Sequence, residues 1–201
     1  MSGQDVNDGE RRLKHYDASG TAPLLPLDLW MPGAELVRGL PAPLAAWLTE
    51  PGLLGERIRA ATGVAAGIRV VGERLGFLSG EQQALLEAQA ASCFVRQVEL
   101  LGRGRPWVFA ETLIPDHTLE HEPWLAELGP SSLAATLAAL AGVTRGAFEF
   151  APLPASHPLA ASALERGASG AAVLWARRSW FALRGRRLLV QEVFLPEAIG
   201  C

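Results

Sequence analysis

The fold is decided by residues 93–114. They read Cys93-Phe94-Val95-Arg96-Gln97-Val98-Glu99-Leu100-Leu101, then Gly102-Arg103-Gly104-Arg105, then Pro106-Trp107-Val108-Phe109-Ala110-Glu111-Thr112-Leu113-Ile114. Both flanks hold β-branched and aromatic residues, and the glycine-bearing tetrad between them is of the kind that reverses a chain. The stretch predicts a β-hairpin. A second hairpin is predicted for residues 173–183 and 187–195, turning at Arg184-Gly185-Arg186. Hairpins pair their strands antiparallel. Residues 67–74, which alternate and are partly β-branched, and residues 144–150 supply further strands, about five in all.

Helical pieces fall between the strands. Residues 44–49 and 53–61 form two short ones, separated by Pro51-Gly52. Residues 79–87 open on Ser79 with Gln82 three places on, which is a capping box. Residues 123–128 and 131–140 also read as helical; Ser131 or Ser132 caps the second, and Leu133, Leu137 and Leu140 share a face. Residues 151–170, rich in Pro, Ala and Ser, predict loop with some helix. Runs of strands with inserted helices define an α+β domain with an antiparallel sheet. Residues 1–22 are polar and predict a loose tail. Residues 23–43 carry five prolines, enough to limit regular structure to one helical turn near residues 28–30. The remainder, 23–201, reads as one domain.

Composition narrows the function. Hydrophobic residues make up 49% of the 201, ample for one core, and 18 basic against 21 acidic residues give a net charge of −3. No global positive field draws the chain to nucleic acid. Only Lys14 is a lysine; the other basic residues are arginines, whose forks match carboxylates with paired hydrogen bonds. No apolar run reaches the roughly 20 residues of a membrane helix, and the first ten residues hold no apolar signal core. Two cysteines, Cys93 and Cys201, make no disulfide framework and fit a reducing cytoplasm. Cys93 lies in an apolar run and reads as a buried structural thiol.

Dinucleotide, phosphate-loop and nucleophile-elbow motifs are absent. His117 and His121 are four apart, the spacing of a metal pair on a helix, but Pro115 and Pro123 bracket them and no third ligand is evident. They read as part of a solvated loop. The informative residues are Arg96 and Glu192. Alternation places Arg96 on one face with Phe94 and Val98, and Glu192 on one face with Val190 and Phe194. A lone charge on an apolar face is costly. Either the two form a buried ion pair, or they pair to solvent at a sheet edge, or they have a functional role.

The run Leu174-Trp175-Ala176-Arg177-Arg178-Ser179-Trp180-Phe181, followed by Gln191-Glu192-Val193-Phe194-Leu195-Pro196, resembles the end of the chorismate pyruvate-lyase family. The Arg96 strand with Pro106-Trp107 and Ala110, the segment from Leu128-Gly129 to Leu133, and the stretch from Trp47-Leu48 to Arg59 resemble it in the same order. The resemblance spans about residues 44–197. It implies a single antiparallel sheet whose helices cover an enclosed ligand site, a monomer, and a carbon–oxygen lyase that needs no cofactor. It further implies that Arg96 binds the ring carboxylate of chorismate, that backbone amides near Leu54 and Leu133 complete that pocket, and that Glu192 meets the ring hydroxyl. Arg177 and Arg178 are candidates for the second carboxylate; at most one points inward, and Arg178 is the one carried as a binding residue. The chain departs from the family at Gly52-Leu53-Leu54-Gly55, which lacks the family's hydroxyls, and at Ser132-Leu133-Ala134 in place of Pro-Leu-Gly. Those departures also admit a related lyase acting on a different chorismate-derived substrate. Effector-sensing domains of bacterial regulators share the fold, so a stand-alone small-molecule binder is the non-enzymatic alternative.

Overall fold

The computed structural model describes residues 29–33, 37–166 and 171–200. The tail expected at residues 1–22 lies outside the described residues, as does Cys201. In chain order the elements are β1 (Met31–Pro32), α1 (Ala42–Leu48), α2 (Leu54–Thr62), β2 (Gly67–Phe77), α3 (Gly80–Leu86), β3 (Ser92–Gly102) and β4 (Arg105–Pro115). Then come α4 (Asp116–His121), a 3₁₀ turn (Pro123–Ala126), α5 (Leu133–Ala139), β5 (Val143–Arg145), β6 (Glu149–Pro154), α6 (Pro158–Leu164), β7 (Val173–Leu183), β8 (Arg186–Phe194) and α7 (Pro196–Ile199).

All eight strands join one antiparallel sheet in the order β1-β6-β7-β8-β4-β3-β2, with β5 also paired to β7. The two expected hairpins are its centre, β3–β4 and β7–β8, joined by pairing of β4 with β8. The strand expected at 144–150 is instead two. The chain crosses the Trp180 indole at Gly146, where a Cβ would lie 2.3 Å from the ring, and the backbone N–H of Gly146 donates to the Trp180 carbonyl. That crossing separates β5 from β6. The stretch from 151, expected as loop, continues β6 to Pro154. Pro152 and Pro154 are tolerated because β1 covers only the first two residues of β6, and an open edge asks for no N–H there. The helical turn expected near residues 28–30 is not formed at 29 and 30; β1 follows them. The loop expected around His117 and His121 is the short helix α4, in which His121 Nδ1 lies 2.9 Å from the His117 carbonyl oxygen.

Alternation gives the sheet two apolar faces, each covered in two places. On the first face α1, α2 and α7 pack Leu48, Ile58 and Phe194 into one cluster. The 3₁₀ turn and α5 pack Leu125 and Leu137 against Ile114 and Phe181 in another. On the second face α6 packs against Phe109, Ala176 and Val193, and Leu86 of α3 packs on Val95 and Leu113. Ser79 caps α3 in the expected box with Gln82. Between the clusters a polar belt crosses the middle of the sheet. Gln97, Glu111, Gln191 and Arg178 are successive register partners on the second face, and Glu111 accepts hydrogen bonds from both glutamines. Their sequence neighbours Arg96, Thr112, Glu192 and Arg177 face the other way.

Candidate functional site

On the first face a cavity of about 230 Å³ opens between the two apolar clusters. Its floor is sheet, with Arg96 of β3, Ala110 and Thr112 of β4, and Val190 and Glu192 of β8. Its roof is the start of two helices, α2 at Leu54 and α5 at Leu133. Both are first helical residues, whose N–H groups have no acceptor within their own helix. Leu53, the residue before α2, lines the cavity as well.

Arg96 is only 2% exposed. Its Nη2 donates to the carbonyls of Gly129 and, at 3.4 Å, Ser131. Gly129 adopts φ +50, a left-handed turn that glycine takes without a Cβ penalty and that brings its carbonyl to the arginine. Glu73, opposite Arg96 in register, puts Oε1 3.3 Å from Arg96 Nε. That approach lacks hydrogen-bond geometry, and Nε has no hydrogen-bond partner. Burial pulls the guanidinium below its ordinary pKa, and Glu73 partly offsets this.

Glu192 is buried at the other side of the floor. Its Oε2 accepts from Arg177 Nε at 2.6 Å. Arg177, 1% exposed, also donates through Nη1 to the carbonyls of Leu48 (3.1 Å) and Glu50 (2.6 Å). Its guanidinium lies 4.3 Å from the Phe148 ring centre. Arg96 and Glu192 are therefore not each other's partner; each has its own counter-charge and both line one cavity.

Of the five residues expected at the site, four line this cavity: Arg96, Glu192, Leu54 and Leu133. Arg178 does not, which corrects the expectation for it. Strand alternation turns it to the second face, where Nε donates to Glu149 at 2.6 Å and Nη1 to Glu81 at 3.0 Å, beneath Trp30. Three polar neighbours, Thr112, Glu73 and Arg145, escaped the sequence reading, and Arg177, read there only as a candidate for a carboxylate, is the partner of Glu192. Thr112 lies between Arg96 and Val190 in register, while Glu73 and Arg177 come from strands whose pairing the sequence does not state. Arg145 ends a three-residue strand too short to show alternation. Among the described residues no group of His, Cys, Asp and Glu could hold a metal ion.

The fold is α+β, one antiparallel sheet carrying a small cavity floored by an arginine and a glutamate, a concave site with few polar groups of the kind that takes small molecules. The chain belongs to the chorismate lyase family, whose model matches residues 25–199. It is 38% identical over 154 residues to the "Probable chorismate pyruvate-lyase" of Dechloromonas aromatica (strain RCB), covering 76% of this chain and 86% of that one. With the protein of the same name from Halorhodospira halophila (strain DSM 244 / SL1) it shares 34% over 172 residues, covering 85% and 91%. Among solved structures it is similar to the effector domain of PhnF from Mycobacterium smegmatis, with a TM-score of 0.52 at 15% identity over 73% of this chain and 90% of that one. That likeness is one of fold alone. Family membership makes the protein a lyase.

Proposed function

We propose that the protein converts chorismate to 4-hydroxybenzoate and pyruvate without a cofactor, as a monomer in the cytoplasm. The observation that carries this reading is the placement of Arg96 and Glu192 in one cavity of a chorismate lyase family chain. A volume of about 230 Å³ suits one ring compound and not a dinucleotide.

Chorismate carries a ring carboxylate and, para to it, a hydroxyl; the enolpyruvyl ether sits on the carbon next to the hydroxyl. Loss of the ring hydrogen beside that hydroxyl and breakage of the ring carbon–oxygen bond leave an aromatic phenol and, after proton return to the enol carbon, pyruvate. Aromatisation drives the step, so the protein's work is to hold the ring in a reactive pose and exclude water. Arg96 binds the ring carboxylate by charge-assisted hydrogen bonds, with the N–H groups of Leu54 and Leu133 completing the pocket. Glu192 accepts the hydroxyl's hydrogen bond through the oxygen that Arg177 does not hold, and serves as general base.

Incubation with chorismate in EDTA, with chromatography of both products, tests this. Equal 4-hydroxybenzoate and pyruvate, far above spontaneous decay, is the expected result. Saturable binding with no turnover would instead mark a non-catalytic binder, and another aromatic product would mark a lyase with a different substrate.

A further inference from the structure

Chorismate has two carboxylates, and Arg96 accounts for one. With the ring carboxylate at Arg96 and the para hydroxyl at Glu192, the enolpyruvyl group leaves the ring on the carbon next to Glu192. Its carboxylate then needs a cation at that end of the cleft. Arg177 is already committed: Nε is held by Glu192, Nη1 by two backbone carbonyls, and its single positive charge is matched by the glutamate. Arg178 is on the far face. Arg59 lines the cavity, but both Nε and Nη2 are bound by Glu56 (2.9 and 2.7 Å).

Arg145 differs from all three. Its Nε donates to the buried Ser179 Oγ at 2.9 Å. Ser179 is the register partner of Val190, so this anchor lies one strand beyond the cavity floor on the Glu192 side. The guanidinium is braced between the rings of Phe148 (4.1 Å) and Phe181 (4.9 Å), and Phe148 is the ring Arg177 also touches. Cation–π contacts hold the fork in place without neutralising it. Among the described residues Arg145 has no carboxylate partner and no other hydrogen bond. Neither arginine lines the cavity itself, but both act on Glu192 from just beyond its floor, and two arginines against one glutamate leave one positive charge over. Burial lowers the Arg145 pKa to about 10, with Glu192 raising it and Arg177 lowering it; the group is still charged at neutral pH.

We propose that Arg145 binds the enolpyruvyl carboxylate, so that the cleft recognises a dianion with its charges at Arg96 and Arg145. This rests on the chorismate reading above. The test compares wild type, Arg145→Gln and Arg145→Lys in chorismate kinetics and in calorimetric binding of both chorismate and 4-hydroxybenzoate, which lacks the second carboxylate. Arg145→Gln is expected to lower kcat/KM for chorismate roughly ten- to a hundredfold, with 4-hydroxybenzoate affinity unchanged and Arg145→Lys partly restoring the loss. Unchanged kcat/KM would overturn the proposal. So would a parallel loss of 4-hydroxybenzoate affinity, which marks a structural role. A wild type that binds chorismate without turnover defeats the lyase reading alone; the ratio of the two affinities still reports on Arg145.

Discussion

Arg96 and Glu192 were legible because each breaks an apolar alternation. Their partners were not, because Glu73 and Arg177 reach them through long-range register. The partnership shapes the experiments. Any neutral substitution of Glu192 leaves the buried Arg177 without its counter-charge, which is costly; Glu192→Gln keeps the shape and an oxygen that can accept from Arg177 Nε, and so is a better probe than Glu192→Ala. We expect it to lower kcat by about 10²–10⁴ with little change in KM. Arg96→Ala should mainly raise KM, by roughly ten- to a hundredfold. Steady-state kinetics checks both, with a thermal melt to confirm folding. Glu50 offers a pH test. The Gly52 N–H and the Arg57 side chain hold its carboxyl below the usual value of 4.5. A carboxylate with a depressed native pKa stabilises the fold above the unfolded value and loses that contribution as pH falls through the native one. Wild type should therefore lose stability more steeply below about pH 4.5 than Glu50→Gln does, in melts followed across the acid range.

At the scale of the element, the two hairpins and the capped helix α3 were readable from local chemistry: turn glycines, alternation and a Ser–Gln pair. The division between β5 and β6 was not, since it depends on where Trp180 of another strand comes to rest. Two substitutions separate these cases. Ser79→Ala removes the cap that accepts the Gln82 N–H and should cost about 1 kcal/mol in urea titration, with KM unchanged. Gly146→Ala drives a Cβ into the Trp180 ring. It should cost roughly 1–3 kcal/mol and, by shifting β5, should also disturb Arg145.

Over the whole molecule, the two sides of the sheet divide the labour: one holds the cleft, the other braces the strands beneath it. β2 is an outer strand, and Leu75 and Phe77 stand 81% and 84% exposed on it. A long free strand carrying apolar side chains invites edge pairing. Phe77→Lys should raise the concentration at which light scattering appears while leaving kcat/KM unchanged. Among the described residues no helix is long and apolar enough to cross a membrane. The polar belt has one more effect. A hydrophobic strand notices a one-residue slip because its apolar set turns outward, yet here both faces are apolar over much of their length, so that signal is weak. The belt replaces it. A slip of β8 by one that brought Glu192 opposite Arg178, which already has two acids, would set Val193 beside Arg177. The cost of a stranded buried charge, about 3–5 kcal/mol, rejects that alignment, so the charged pairs work as a checksum on assembly, and the residues that bind the ligand are among its digits.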